Sequence, residues 1–121
     1  MTENKDTFLE HRKNQEKLHF ENVDSFNPLS SLLTVEVNTT ELCNRTCVFC
    51  PRHDRSVYPN RNLNMSIATA NAIADNLSID NFKGKISYSG FSENLLNKNF
   101  AEIIKVLKDK LPETTAECNT N

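Results

Sequence analysis

One short stretch of this chain concentrates the side chains that could bind a metal. The segment "ELCNRTCVFCPRHD", residues 41–54, carries Cys43, Cys47 and Cys50 in the spacing C-x3-C-x2-C, and His53 follows three residues later. The remaining cysteine, Cys118, is far along the sequence. Thiolates are soft ligands suited to zinc and to iron–sulfur clusters. Three of them are one too few for a closed tetrahedral zinc site or a fully ligated 4Fe–4S cluster. Two readings follow. His53 completes a zinc site in a small module that binds a partner, or one position stays open, as it does in catalytic metal centres. Cys118 is a poor fourth ligand. It shares strand parity with Ala116, so a small buried thiol packed in the core is expected.

Composition narrows the setting. At 121 residues the chain is one domain or a piece of one. A hydrophobic fraction of 37% with 25% charged residues fits a globular protein. The net charge of −2 gives no electrostatic case for nucleic acid or an anionic membrane as a partner. The opening "MTENKDTFLEHRK" lacks the apolar run of a signal peptide, and nothing downstream is long enough to span a bilayer. A cytoplasmic, reducing compartment is expected, where clustered cysteines hold metal rather than disulfides.

The elements that must carry the cysteine loop can be read from periodicity. Residues 1–31 read as an arm and linker. A helix is expected over 5–20 with a thin apolar stripe of Phe8, Leu9, Leu18 and Phe20, and a loop around Pro28. His11 and His19 read as solvated. "LLTVEVN" (32–38) alternates, with Leu33, Val35 and Val37 on one face and Thr34, Glu36 and Asn38 on the other. After the cysteine loop comes a polar segment in which Arg52, Arg55 and Arg61 read as solvated charges. From Met65 a helix is expected, capped by Ser66, with Ile73, Leu77 and the alanines facing inward. "KISYSG" (85–90) is a second strand. "FAEIIKVLKDKL" places Phe100, Ile103, Ile104, Leu107 and Leu111 at helical spacing, until Pro112 stops it. "TTAECN" is a third strand. The order strand–helix–strand–helix–strand predicts an α/β βαβαβ unit with parallel strands. The polar strand positions Thr34, Glu36, Asn38, Ser87, Ser89, Glu117 and Asn119 would face away from the helices, as on the inner wall of a barrel or on a wet sheet face.

With the elements placed, "NTTELCNRTCVFC" resembles the signature of the radical S-adenosylmethionine (radical SAM) superfamily, with Phe49 as the aromatic residue before the last cysteine. "YSGFSENLL" resembles that family's Gly-Gly-Glu-Pro element at the end of the second strand, carried by Gly90, Phe91, Ser92 and Glu93. Asn94 stands where the family usually has proline, and Phe91 where it usually has a small residue. The likeness runs over residues 33–121. It implies that residues 32–121 are the amino-terminal half of a partial (βα)6 TIM-like barrel, helices outside, from a longer enzyme. It implies that Cys43, Cys47 and Cys50 bind a 4Fe–4S cluster whose fourth iron takes the amino and carboxylate groups of SAM. Reductive cleavage would then give a 5′-deoxyadenosyl radical that abstracts hydrogen from a substrate. Gly90 to Glu93 would meet the methionine ammonium, backbone near Phe49 the adenine, and Asn119 the SAM carboxylate or ribose. Glu93 could instead cap a following helix. The family further implies a reduced flavodoxin- or ferredoxin-type electron donor and a peptide or small metabolite as substrate. Half a barrel alone is expected to be inactive.

Overall fold

Alternating apolar residues in three short strands and two amphipathic helices between them fold into one parallel layer with helices on one face. The computed structural model describes residues 7–21 and 31–121. The chain divides into two compact units, Met1–Leu33 and Thr34–Asn121. In the first, helix α1 runs over Thr7–Glu21. The side chains of Phe8, Leu18, His19 and Phe20 and the loop around Pro28 lie outside the described residues. His11 is solvated, as expected. No helix among the described residues is long and apolar enough to cross a membrane.

The second unit contains β1 (Thr34–Glu36), α2 (Ile67–Ile79), β2 (Lys85–Tyr88), α3 (Phe100–Lys110) and β3 (Thr115–Cys118). The strands pair in the order β1-β2-β3, all parallel. Val35 stands opposite Ile86, and Ile86 opposite Ala116, so side chains in register share a face. β1 is shorter than its alternating sequence, although the Val37 N–H still donates to the Ser87 carbonyl at 2.8 Å.

The two helices bury their stripes on the strands. Ser66 caps α2 by accepting from the Thr69 N–H, and Ala70 and Ala74 are fully buried. Ala68 and Ala72 turn to solvent, because two residues on a helix are about 200° apart. Phe100, Ile103 and Leu107 of α3, with Leu111 after it, pack with Ile86, Tyr88 and Val37 into the core. The Tyr88 and Phe100 rings meet edge to face with centroids 5.3 Å apart. Across the sheet, Glu36, Asn38 and Glu117 are exposed on the polar face, where Lys85 pairs with Glu117 at 3.1 Å. The expected βαβαβ architecture is what forms.

Cys118 departs from expectation. It stands opposite the buried Tyr88, so its parity toward the helix side is as read, yet the thiol is exposed. β3 is an edge strand with all four of its residues exposed. A neighbour packed on both sides buries β2, and β3 has only one.

Candidate functional site

β1 delivers the chain to the cysteine loop, and the loop is closed at its base. Thr40 bridges Asn64 in antiparallel fashion, the Glu41 N–H donates to the Leu63 carbonyl at 2.9 Å, and the Met65 N–H donates to the Thr39 carbonyl at 2.8 Å. Residues 42–62 therefore form an excursion whose ends are tied together before α2 begins. Within it the Cys50 N–H donates to the Cys47 carbonyl and the His53 N–H to the Cys50 carbonyl, both at 2.9 Å, the second inside a single 3₁₀ turn, Pro51–His53.

The segment leaving β2 lies against the same base. Gly90 has φ +118°, and a Cβ there would stand 3.3 Å from Asn38 Cγ and 3.4 Å from Glu36 Oε1. Only glycine suits this position. Ser92 Oγ donates to Asn38 Oδ1, and the Glu93 N–H donates to the Leu42 carbonyl at 2.9 Å. Asn94, where the resemblance leads one to expect proline, is fully buried, and its Oδ1 accepts from both the N–H and the Oγ1 of Thr39 at 2.8 Å. Asn97 Nδ2 donates to the Thr39 carbonyl at 2.8 Å. The three elements that leave the carboxyl ends of the strands thus meet at one rim.

Glu93 is 4% exposed. Its carboxylate accepts from the Leu95 N–H, from Thr120 Oγ1 and, at 2.8 Å, from the Asn121 N–H. It caps the 3₁₀ turn Asn94–Leu96 rather than a helix beginning near Asn97, and it fastens the residues after β3 to the rim. Asn121 Nδ2 then donates to Asn44 Oδ1 at 2.5 Å and stands 3.9 Å from Cys43 Sγ. The Asn119 N–H donates to the Tyr88 carbonyl at 3.2 Å, which continues the β2–β3 pairing to the rim. Phe49 is not packed under its loop: with Val48 it forms an apolar tip, the residue 88% exposed. Phe91 is also exposed and meets Tyr58 edge to face.

Arg52 corrects the sequence reading. Rather than a solvated charge it is buried, and its guanidinium lies over the Tyr58 ring, 4.8 Å from the centroid. Arg61 is exposed but pairs with Glu41 at 3.1 Å, whereas Arg55 is exposed as expected, and Arg45 is exposed too. Sequence reasoning missed Arg52 because only its position after Pro51 in a loop was visible. It missed Asn60, whose side chain binds the Cys43 N–H at 2.8 Å, because asparagine is abundant throughout this chain.

Cys43, Cys47 and Cys50 are all free thiols and all half-buried. Among the described residues, no three His, Cys, Asp or Glu side chains converge as one metal ion requires. A zinc ion needs every sulfur about 2.3 Å from a single centre. A cluster takes each cysteine on a different iron, so its sulfurs stand apart around a wider body. His53, the fourth ligand of the zinc reading, is exposed, with Nδ1 3.4 Å from the Thr46 carbonyl. Three free, half-buried thiols on one closed loop are the type and number of donors that would fit a 4Fe–4S cluster with one iron left without a cysteine.

Known proteins resemble this chain in sequence and in fold. No family model matches the sequence. The chain is 33% identical over 94 residues to the S-adenosyl-L-methionine-dependent 2-deoxy-scyllo-inosamine dehydrogenase of Niallia circulans, an alignment covering 77% of this chain and 36% of that protein. Among solved structures it is similar to BtrN in complex with AdoMet and 2-DOIA, with TM-score 0.67, 28% identity and coverage of 74% of this chain and 36% of that one. Selenomethionine BtrN in an open conformation gives a TM-score of 0.62 at 28% identity, over 74% and 39% of the two chains. The chain spans about a third of the length of the curated relative it matches. It shares with these structures the βαβαβ half of a TIM-like barrel.

Proposed function

We propose that this chain is the cluster- and SAM-binding part of a radical SAM enzyme. The observation that carries the reading is the hydrogen bonding of the Gly90–Glu93 segment onto the base of a loop holding three free, half-buried thiols. The SAM dependence of the relative in Niallia circulans supports it. Cys43, Cys47 and Cys50 would hold the 4Fe–4S cluster. Bound there, the cluster would supply the electron for reductive cleavage of SAM.

The chain's own residues bind, orient and exclude water. Gly90 to Ser92 would accept the methionine ammonium through backbone, with Gly90 keeping that approach free of a Cβ. The Glu93 carboxylate offers about four acceptor sites. Three protein donors already use it, so its larger contribution is to hold the segment on the loop. The Val48–Phe49 tip would cover the adenine, giving its exposed apolar area a partner. Asn119, at the end of β3, would meet the SAM carboxylate or ribose. A cleft of about 650 Å³ beside the loop, lined by Asn38, Glu41, Tyr58, Arg61 and Met65 among others, leaves room next to this site.

Carried over from the relative, the reaction class of the whole protein would be dehydrogenation of a small polar metabolite at a carbon bearing a hydroxyl. A flavodoxin- or ferredoxin-type protein in the cytoplasm would supply the electron. Anaerobic reconstitution with iron and sulfide tests the reading. The parent chain should hold about four irons, and Cys43→Ala, Cys47→Ala and Cys50→Ala should each lose them. Stoichiometric zinc with His53 among its ligands, seen by X-ray absorption, would replace this reading with the zinc module.

A further inference from the structure

Arg52 lies two residues beyond Cys50, and only 4% of it is exposed. Its Nη1 donates to Asn60 Oδ1 at 3.0 Å and its Nη2 donates to the Glu41 carbonyl. Asn60 Oδ1 also accepts from the Cys43 N–H at 2.8 Å. Asn60 has φ +59°, a left-handed conformation that asparagine tolerates better than most residues. The guanidinium thereby ties the chain just after the last clustered cysteine to the chain around the first. A lysine, with a single ammonium, lacks the fork for this.

Among the described residues the charge has no answering carboxylate. The buried Arg52 Nε has no hydrogen-bond partner among them either. A buried cation is costly unless something anionic faces it. Arg52 lines one small cavity together with Cys43, Arg45, Arg55 and Tyr58, so the first clustered cysteine stands on the same wall as three guanidinium groups. We propose that Arg52 is the positioning residue and charge partner of the anionic centre that the three cysteines hold. This inference rests on the cluster reading for its charge role, while the clamp stands on the protein alone.

Both halves can be measured in the same 121-residue chain. In iron-free protein, Arg52→Met should speed hydrogen exchange at the Cys43 amide by roughly tenfold or more, since hydrogen bonds to charged groups are the stronger kind. Arg52→Lys should speed it nearly as much, and Asn60→Ala should do so while leaving the charge in place. In reconstituted protein, Arg52→Met should lower the cluster's midpoint potential, because a nearby cation favours the more negative reduced state. Arg52→Lys and Asn60→Ala should hold the potential near the parent value. If Arg52→Met does not fold, as judged by circular dichroism, Arg52→Gln, which also lacks the charge, takes its place in both measurements. Unchanged exchange in Asn60→Ala and Arg52→Lys overturns the clamp. An unchanged potential in a folded Arg52→Met, or a potential in Arg52→Lys shifted as far as in Arg52→Met, overturns the charge role. If the parent chain takes up no cluster, the cluster reading and the charge role fall together, and exchange alone decides the clamp.

Discussion

The Glu93 N–H donates to the Leu42 carbonyl at 2.9 Å, joining the residue that ends the turn after β2 to the residue that precedes the first clustered cysteine. The bond makes the two strand-end loops one rim. Asn94 and Thr39 reinforce it across 55 residues of sequence. A backbone that binds a ligand between two loops needs them held in register, and these contacts supply that register.

Removing the Asn94 acceptor tests the reinforcement. Asn94→Ala leaves the buried Thr39 N–H and hydroxyl without their partner, and each such group costs about 1–3 kcal/mol. Chemical denaturation should show a loss of that order, and Asn94→Asp, which keeps an acceptor oxygen, should lose less at a pH low enough to keep its buried carboxyl protonated. Equal losses in both variants would mean that packing rather than hydrogen bonding holds the rim.

Gly90→Ala should also destabilise the chain. Its φ of +118° lies where side chains are strained, and the added Cβ meets Asn38 3.3 Å away. Strain of this type costs on the order of 1–3 kcal/mol. A variant as stable as the parent in thermal unfolding would show that the segment relaxes freely.

Much of this arrangement was legible in the sequence. Strict alternation in 32–38 and 85–90 and the 3.6-residue spacing of Phe100, Ile103 and Leu107 were enough for the strand and helix order, because burial on one face imposes those periods. The cysteine spacing marked the loop. What periodicity cannot show is contact between residues far apart in sequence. Nothing in "PRHDR" distinguishes buried Arg52 from exposed Arg55, since the difference lies in Asn60 and the Glu41 carbonyl. Cys118 failed for a related reason: parity gives a side chain's face, but burial also needs a neighbour beyond the edge strand.

Exposure of Cys118 changes what its removal should do. Cys118→Ala should leave iron content unchanged and alter stability by no more than about 0.5 kcal/mol, the range of surface substitutions. Metal analysis and denaturation of the reconstituted variant check both. Loss of iron there would make Cys118 a ligand.

Tyr88 sets a pH dependence. Burial, with the Cys118 charge adding to it, pushes its hydroxyl from 10.0 up to about 12. The folded state then keeps a proton that the unfolded chain releases. The stability linked to this group is present below pH 10 and is lost as pH rises from about 10 to about 12. Tyr88→Phe should remove that component, so the stability difference between parent and variant should shift over this window and stay flat below it. A constant difference throughout would contradict the buried, protonated hydroxyl.

The most direct measurement of the central claim is electron paramagnetic resonance of the reduced, reconstituted chain with and without SAM. A 4Fe–4S cluster on Cys43, Cys47 and Cys50 with an open iron should give a reduced-cluster signal whose g-values change when SAM is added, and Cys47→Ala should give neither signal nor change. A reduced-cluster signal that stays the same at saturating SAM, or a parent chain that forms no cluster, would contradict the account.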